Sequence, residues 1–194
     1  MKLPIEAYGN TVLRQKCVSI SKCTPELVKL IDDMWETMNV ANGCGLAAPQ
    51  VGQTLNLFVV DTQTTFKMLA PGDRKGFFEE GDKGIKETFI NAKIIESGSE
   101  SWDDYEGCLS LPGLNKKVCR PWTISIEYLD VDFNKQVKSF GGYTARAIQH
   151  EYDHTNGILF IDHLDGLSRK LSENKLRRIK KGQVATSYRL NYMY

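Results

Sequence analysis

The chain has little of what marks secreted, membrane-spanning or strongly charged proteins. Lysine and arginine number 25 against 24 acidic residues, so the formal net charge of +1 indicates no highly charged partner. Five scattered cysteines, an odd number, argue against a disulfide framework and favour free thiols or metal ligands in a reducing compartment. No apolar run approaches the length of a membrane span, and the N-terminal residues show no export-signal pattern. We therefore expect a cytoplasmic protein that does not enter a membrane.

Histidine is also scarce, yet two of the three histidines fall in one short stretch, His150-Glu151-Tyr152-Asp153-His154. On a helix, two imidazoles four residues apart project from the same face, so both can bind one divalent metal ion. Glu151 lies about 100° round the helix from His150, where its carboxylate can act as a general base without ligating the metal. This is the HExxH arrangement of metal-dependent hydrolases. The alternative is a polar helix in which this sequence pattern occurs by chance, without a metal.

Length and apolar patterning predict one domain over residues 1–194. Thr24 as an N-cap, Pro25 at the first helical position and an apolar stripe up to Asn42 predict an N-terminal helix. A long surface excursion is expected at 62–86, where glycines and charges show no sustained period. Runs of β-branched and aromatic residues predict four strands, at 55–60, 88–95, 124–128 and 136–140.

The C-terminal third of the chain is predicted to be mainly helical. Gly141-Gly142 should break the chain before the helix that carries the two histidines, and Gly157 should end that helix. Residues 158–161 predict a short strand or extended segment. A last helix is expected from about Leu167 to Lys181, before a C-terminal tail at 183–194. The order of elements predicts an α+β fold, with antiparallel sheets packed around a central HExxH helix and further helices near both ends.

Two histidines leave the predicted site one ligand short, because catalytic zinc sites usually have three protein ligands and an open position. A known extension of the motif ends in a third histidine, but this chain has Phe160 there, which cannot ligate. Glu173, His163 and Cys108 remain as candidates. Each of them also has an interpretation without a metal. Glu173 would be a solvated charge, His163 a surface or core residue, and Cys108 a buried thiol. A thiolate would nevertheless suit zinc or ferrous iron, so the residues by themselves leave the third ligand open.

Three segments, taken in order, resemble the motifs of the peptide deformylase family. GCGLAAPQ at 43–50, EGCLS at 106–110 and QHEYDH at 149–154 match the family's GxGLAAPQ, EGCLS and QHExDH motifs. The resemblance covers about residues 3–182. The three motifs occur in the same order as in the family, which makes the match specific. One departure is Cys44, where the family usually has a branched aliphatic residue.

The resemblance implies a metal-dependent hydrolase that removes the formyl group from the N-terminal formyl-methionine of newly made polypeptides and releases formate. It implies three metal ligands, which are Cys108, His150 and His154. Glu151 would be the catalytic acid and base, and Gln50 and the backbone amide of Leu109 would hold the oxyanion. The resemblance also implies one divalent ion, with Fe²⁺ as the native metal and Zn²⁺, Ni²⁺ or Co²⁺ as substitutes.

The same motifs suggest where the substrate binds. Gly43, Gly45 and Gly107 lack side chains, so a substrate backbone could approach them closely. By the family resemblance, the methionine side chain would lie near Cys44, Tyr143, Arg146, Ala147 and His150. Arg146 could instead contact the peptide or support a neighbouring site residue, and the sequence leaves that choice open.

Two rival functions share the two histidines. One is a zinc metallopeptidase with Glu173 as the third ligand. The other is a structural zinc module that binds a partner, which would need a fourth protein ligand, and the sequence has no CxxC pair.

The last helix is strongly basic between Arg169 and Lys181, where Glu173 is the single acid. Such a run of charge is usually a solvated face. An enzyme of nascent chains would gain from ribosome contact, however, and basic residues facing RNA would provide it. We therefore expect the C-terminal helix to be a candidate ribosome-binding element.

Overall fold

The computed structural model describes residues 2–193, which form nine strands and five α-helices. The strands are β1 (Ile5–Glu6), β2 (Gly45–Ala47), β3 (Leu57–Asp61), β4 (Lys86–Ser97), β5 (Ser101–Glu106), β6 (Lys116–Pro121), β7 (Thr123–Leu129), β8 (Lys135–Gly141) and β9 (Leu190–Asn191). The α-helices are α1 (Pro25–Val40), α2 (Gln63–Met68), α3 (Pro71–Arg74), α4 (Gly142–Thr155) and α5 (Gly166–Lys180). Short 3₁₀ turns lie at Thr11–Arg14, Ala48–Val51 and Phe160–His163.

The central sheet has five antiparallel strands in the order β2-β3-β4-β7-β8. Strand β3 is buried along its whole length because both of its faces are covered. Leu57 and Val59 pack with residues of α1, whereas Phe58 and Val60 pack with residues of α4. Successive side chains of a strand point to opposite faces, so an unbroken apolar run is what a strand between two layers requires.

Helix α1 begins and ends as the sequence predicts. The Thr24 side chain accepts a hydrogen bond from the Leu27 N–H at 3.3 Å, and Pro25 occupies the first helical position. The predicted apolar stripe faces one core cluster, in which Met34 and Met38 are fully buried. Helix α1 thereby covers one face of the sheet, on the side opposite α4.

Helix α4 lies at the centre of the molecule and packs against β2 and β3. It begins at Gly142, whose φ of +54° lies in the left-handed region that glycine adopts more readily than other residues. A Cβ at this position would lie 2.5 Å from the carbonyl oxygen of Phe77, so only glycine fits. Most residues of α4 are buried, including both histidines of the HExxH motif. The α+β class and the central HExxH helix are confirmed.

The prediction of a strand or extended segment at 158–161 holds for Leu159, whose backbone is extended, but is wrong for Phe160 and Ile161. Residues from Phe160 to His163 form a 3₁₀ turn, in which the Asp162 carboxylate accepts a hydrogen bond from the Leu159 N–H at 2.9 Å. Leu159, Phe160 and Ile161 are all buried in a third core cluster. A short apolar run with no alternation cannot by itself distinguish a strand from another buried conformation, which explains the error.

The segment at 62–86 joins β3 to β4, as expected, and contains the short helices α2 and α3. It packs against the rest of the molecule through Thr62 and Phe78, which are both buried. The β5–β6 hairpin was not predicted, because its residues include many charges and few apolar side chains. This hairpin leads into and out of the loop that contains Cys108.

The two ends of the described chain meet. Strand β9, in the segment expected as a tail, pairs in parallel with β1, with Ile5 opposite Leu190 and Glu6 opposite Asn191. All five cysteines are free thiols. Among residues 2–193, the helices are too short or too polar to cross a bilayer.

The cap of α1 yields a stability prediction. Thr24→Ala removes the hydroxyl that accepts from the Leu27 N–H, so the free energy of unfolding should fall by about 1 kcal/mol. Thr24→Ser keeps the hydroxyl and should remain close to the wild type. Urea unfolding followed by circular dichroism measures both variants. Equal stability of the alanine and serine variants would contradict the capping role.

Candidate active site

A cleft of about 460 Å³ opens beside α4 and collects the predicted site residues. All of them line it except His154, which lies behind Cys108. Its walls come from four parts of the chain: the turn before and after β2, the loop after β5, the face of α4, and the C-terminal segment. The first three correspond to the three sequence motifs. The fourth was not anticipated.

Cys108, His150 and His154 form a group whose ligand atoms all lie within 4.8 Å of one another. The Cys108 Sγ lies 3.2 Å from the His154 Nε2. Two imidazole nitrogens and one thiolate suit zinc or ferrous iron, and ligands bonded at about 2.0–2.3 Å to one tetrahedral ion lie about 3.4–3.6 Å apart. The donor set and its spacing therefore fit a single divalent ion.

The surroundings of the two histidines also fit a metal. His150 Nδ1 lies 2.9 Å from a Glu106 carboxylate oxygen, which leaves Nε2 available for an ion. The His154 side chain is buried, and its Nδ1 has no hydrogen-bond partner among the described residues. Burial lowers the pKa of His154, which favours the neutral form that binds metals. Burial also acts to lower the pKa of His150, but Cys108 and Glu106 outweigh it and raise that pKa.

Glu151 lies beside this group without belonging to it. Its side chain is buried, and Oε2 has no hydrogen-bond partner within the described part of the chain. Burial raises the pKa of Glu151 to about 7. A carboxyl group in that range can both accept and release a proton at neutral pH, which is the property of a general acid and base.

Gln50 is held in one orientation by the backbone. Its Oε1 accepts a hydrogen bond from the Ala47 N–H at 2.7 Å, so the side-chain NH₂ must point the other way. There it lies 3.5 Å from the Cys108 Sγ and 3.4 Å from the Ser110 Oγ. The amide therefore presents a donor next to the candidate metal ligands. Leu109, the residue between Cys108 and Ser110, lines the same part of the cleft.

Glu106, the first residue of the EGCLS segment, is a part of the site for which the sequence predicted no role. Its buried carboxylate accepts hydrogen bonds from Arg120 at 2.6 and 2.9 Å and from Arg146 at 2.7 Å, and it faces His150. Burial would raise the pKa of Glu106, but its hydrogen bonds with His150 and Arg120 and their charges lower it overall. The sequence did contain one indication of this role, because Glu106 lies only two residues before the candidate ligand Cys108.

The structure explains why residues 45 and 43 are glycines, and the explanation differs from close approach of the substrate. A Cβ on Gly45 would lie 2.7 Å from the Cγ of Glu151, and one on Gly43 would lie 2.9 Å from the Leu109 Cδ1. Real Cβ atoms do not come that close, so both glycines leave room for residues of the site. Gly45 in particular lets the carboxylate of Glu151 lie against β2.

The predicted methionine pocket is the part of the cleft beside the first turns of α4. Cys44, Tyr143 and Ala147 line it, and burial raises the pKa of Cys44 and of Tyr143, so both stay neutral. The ring of Phe77 stacks on that of Tyr143 with centroids 4.5 Å apart. The excursion therefore supports one wall of the pocket, a contact between distant segments that no local pattern indicated.

Arg146 is buried and directs its guanidinium away from bulk solvent. It bonds Glu106, donates to the carbonyl oxygens of Val118 and Trp102 at 2.9 and 2.8 Å, and lies over the Trp102 ring. Of the alternatives left open by the sequence, these contacts favour support of a neighbouring site residue.

The other ligand candidates lie elsewhere. Glu173 is on an exposed position of α5 and is not part of the metal-ligand group. His163 faces the Asp153 carboxylate at 2.7 Å near the surface. Neither position supports the rival in which Glu173 completes a peptidase site.

Comparison with known proteins supports the same interpretation. Residues 2–170 match the model of the family described as polypeptide deformylase. The chain is 43% identical to a peptide deformylase of Cytophaga hutchinsonii over 99% of this chain and 98% of that protein, and 43% identical to one of Flavobacterium johnsoniae over 99% and 96%.

Solved structures agree with the sequence relatives. The peptide deformylase of Ehrlichia chaffeensis superposes with a TM-score of 0.81 at 30% identity, over 95% of this chain and all of that one. That of Legionella pneumophila gives 0.77 at 32% identity, over 94% and 98%. The chain therefore belongs to the peptide deformylase family, the metal-dependent hydrolases that remove the N-formyl group from nascent peptides.

Proposed function

We propose that Cys108, His150 and His154 hold the catalytic metal of this deformylase, and that Glu151 transfers the proton during hydrolysis. The observation that carries this assignment is the buried carboxylate of Glu151, with an unpartnered oxygen, beside a group of three metal-ligating side chains in one cleft. The whole chain, residues 1–194, serves as one catalytic domain around this cleft.

Formyl hydrolysis needs a nucleophile, a proton carrier and donors for the oxyanion. A divalent ion, when bound, supplies Lewis acidity and activates water at neutral pH. Glu151 takes the proton of the attacking water and delivers it to the nitrogen of the departing amine. The Gln50 NH₂ and the Leu109 N–H donate hydrogen bonds to the oxygen that becomes negative in the transition state. Because the Ala47 N–H already orients Gln50, this donor is in place before the substrate binds.

The shape of the cleft suits a small acyl group followed by a methionine side chain. Glu151 fills the space beside Gly45, which leaves little room for an acyl group larger than formyl. Cys44, Tyr143 and Ala147 give the neighbouring pocket neutral walls for an unbranched thioether side chain. Gly43 and Gly107 form the rim along which the peptide backbone lies, and Arg146 holds Glu106 behind the pocket.

The proposed native metal is Fe²⁺, with Zn²⁺, Ni²⁺ and Co²⁺ as substitutes. A thiolate with two imidazoles accepts each of these ions, and the choice of iron follows the family resemblance of the three motifs. Because the substrate is a nascent chain, the enzyme should act in the cytoplasm, where translation supplies it.

One experiment tests the assignment as a whole. The protein is purified without oxygen, its metal is measured by mass spectrometry, and formate release from formyl-Met-Ala-Ser is followed with a coupled assay. About one metal ion per chain, with iron predominant, and formate release without internal peptide cleavage are expected. Stoichiometric metal with no turnover would instead favour the structural zinc module.

The third ligand can be tested by substitution. Cys108→Ala removes one of three ligands, so most of the bound metal and the activity should be lost. Cys119→Ala, the same change at an exposed cysteine of β6, serves as the matched control and should retain both. Glu173→Ala should also retain metal, since this residue lies on an exposed position of α5. Metal loss from the Glu173 variant would support the peptidase rival.

The role of Glu151 predicts a separation of metal binding from turnover. Glu151→Gln keeps the shape of the side chain but removes the base, so kcat should fall by about 10²–10⁴ while the metal remains bound. Glu173→Gln makes the same chemical change on the surface and should leave kcat unaltered. Formate release near the wild-type rate by metal-loaded Glu151→Gln would refute the assignment.

The exposed side of α5 is a candidate ribosome contact. Four of its basic residues are exposed, Lys170, Arg177, Arg178 and Lys180, and Lys181 directly after the helix is exposed as well. Arg169 is instead engaged by Asp162 at 3.0 Å. Because Ser172, Leu176 and Ile179 are buried, the helix is part of the core, and charge reversal is a cleaner test than truncation.

Charge reversal on this face should weaken binding to ribosomes. The double variant Arg177→Glu/Lys181→Glu is expected to lose co-sedimentation at low salt, because contacts to phosphates depend on cation number. Lys16→Glu/Lys22→Glu changes the net charge equally at two other exposed positions and should bind like the wild type. Unchanged sedimentation of the α5 variant would remove the ribosome contact from the proposal.

A further inference from the structure

The C-terminal segment lines the cleft beside the oxyanion site. Ala185, Thr186, Ser187 and Tyr188 all contribute to its wall. They lie beyond residues 2–170, the part of the chain that matches the family model. The sequence offered no motif here, and the segment was expected only as a tail.

Backbone hydrogen bonds hold this segment in place. The Ile5 N–H donates to the Arg189 carbonyl oxygen at 2.9 Å, and the Ala7 N–H donates to that of Asn191 at 2.8 Å. Thr186 adds a local bond from its hydroxyl to the Tyr188 carbonyl oxygen at 2.6 Å. The residues before β9 are therefore fixed relative to β1 and through it to the core, where Ile5 is fully buried.

Hydrogen bonds from the C-terminal segment and from the residue after β1 hold two successive carbonyl groups of the loop after β5. The Tyr188 hydroxyl donates to the Leu109 carbonyl oxygen at 2.8 Å. The Tyr8 N–H, just after β1, donates to the Ser110 carbonyl oxygen at 2.8 Å. The Tyr188 ring is partly buried against the same core cluster as Leu109. The loop is thus fastened at consecutive residues by two segments that pair with each other.

We propose that Tyr188 is a positioning residue for the deformylase reaction: by holding the Leu109 carbonyl group, its hydroxyl fixes the Leu109–Ser110 peptide and the backbone torsions of Leu109, and so aims the Leu109 N–H of the preceding peptide at the developing oxyanion. This inference rests on the proposed role of Leu109. An oxyanion donor must be placed within about 0.5 Å and 10–20° of its productive geometry, and a side-chain hydrogen bond to the adjoining peptide supplies part of that constraint. Because the hydroxyl acts through the Leu109 backbone, its removal should affect the transition state more than peptide binding.

The test removes the hydroxyl and keeps the ring. Tyr188→Phe should lower kcat about tenfold with formyl-Met-Ala-Ser, while KM stays within about twofold, because a displaced oxyanion donor affects mainly the transition state. Tyr192→Phe removes a hydroxyl from the same C-terminal segment outside the cleft and is the matched control. Both variants should retain wild-type metal content and melting temperature.

Hydrogen exchange adds a readout that does not need turnover. In Tyr188→Phe, amides of the peptide covering 106–114 should exchange faster, whereas those covering 2–10 should keep their protection because the β1–β9 pairing remains. Wild-type kcat with wild-type protection of 106–114 would overturn the proposal. So would a loss of kcat matched by Tyr192→Phe or accompanied by lost protection at 2–10, since either result indicates a general effect of the segment. If the wild type released no formate, the proposed function would fail, while exchange at 106–114 would still decide whether Tyr188 holds the loop.

Discussion

The arrangement of the site depends on the buried carboxylate of Glu106. Both of its oxygens are used: Arg120 donates to each, Arg146 bonds one, and His150 faces the other. Two guanidinium groups more than neutralise one carboxylate, which allows the charges to be buried. Glu106 is the last residue of β5 and lies two positions before Cys108. Its bonds therefore join the hairpin, the cysteine-bearing loop and α4 at one point, so the candidate metal ligands from two distant segments are brought together.

The network extends behind the second histidine as well. Arg120 also bonds the Asp153 carboxylate at 2.8 Å, and His163 lies 2.7 Å from the same group. Asp153 thus anchors the 3₁₀ turn after α4 to the hairpin. Glu151 has a different environment on the same helix: burial raises its pKa, and the opposing charges of His150 and Arg120 do not offset that rise, whereas the pKa values of Glu106 and Asp153 are lowered by their partners. Three carboxylates on or beside α4 therefore differ in pKa because their neighbours differ.

Several elements around the site were invisible to local patterns. The β5–β6 hairpin has too few apolar residues to show a clean alternation, yet it contributes Glu106 and Arg120. Phe77, in a segment expected only as a surface excursion, stacks on Tyr143 and supports one wall of the cleft. Residues 160 and 161 were misread because an apolar run of four residues fits a strand as well as a buried turn. For the hairpin and for Phe77, the deciding contacts join residues far apart in the chain.

By itself the sequence determined those features that depend on residues close together in the chain. The cap at Thr24 depends on a few neighbouring residues, and the spacing of His150 and His154 sets both rings on one helical face. Only the tertiary structure decided that the thiol of Cys108, 42 residues before His150, lies beside them while Glu173 does not. The same is true of Tyr188 and Leu109. Such contacts depend on how sheets and helices pack, and packing is a property of the whole chain that no local spacing encodes.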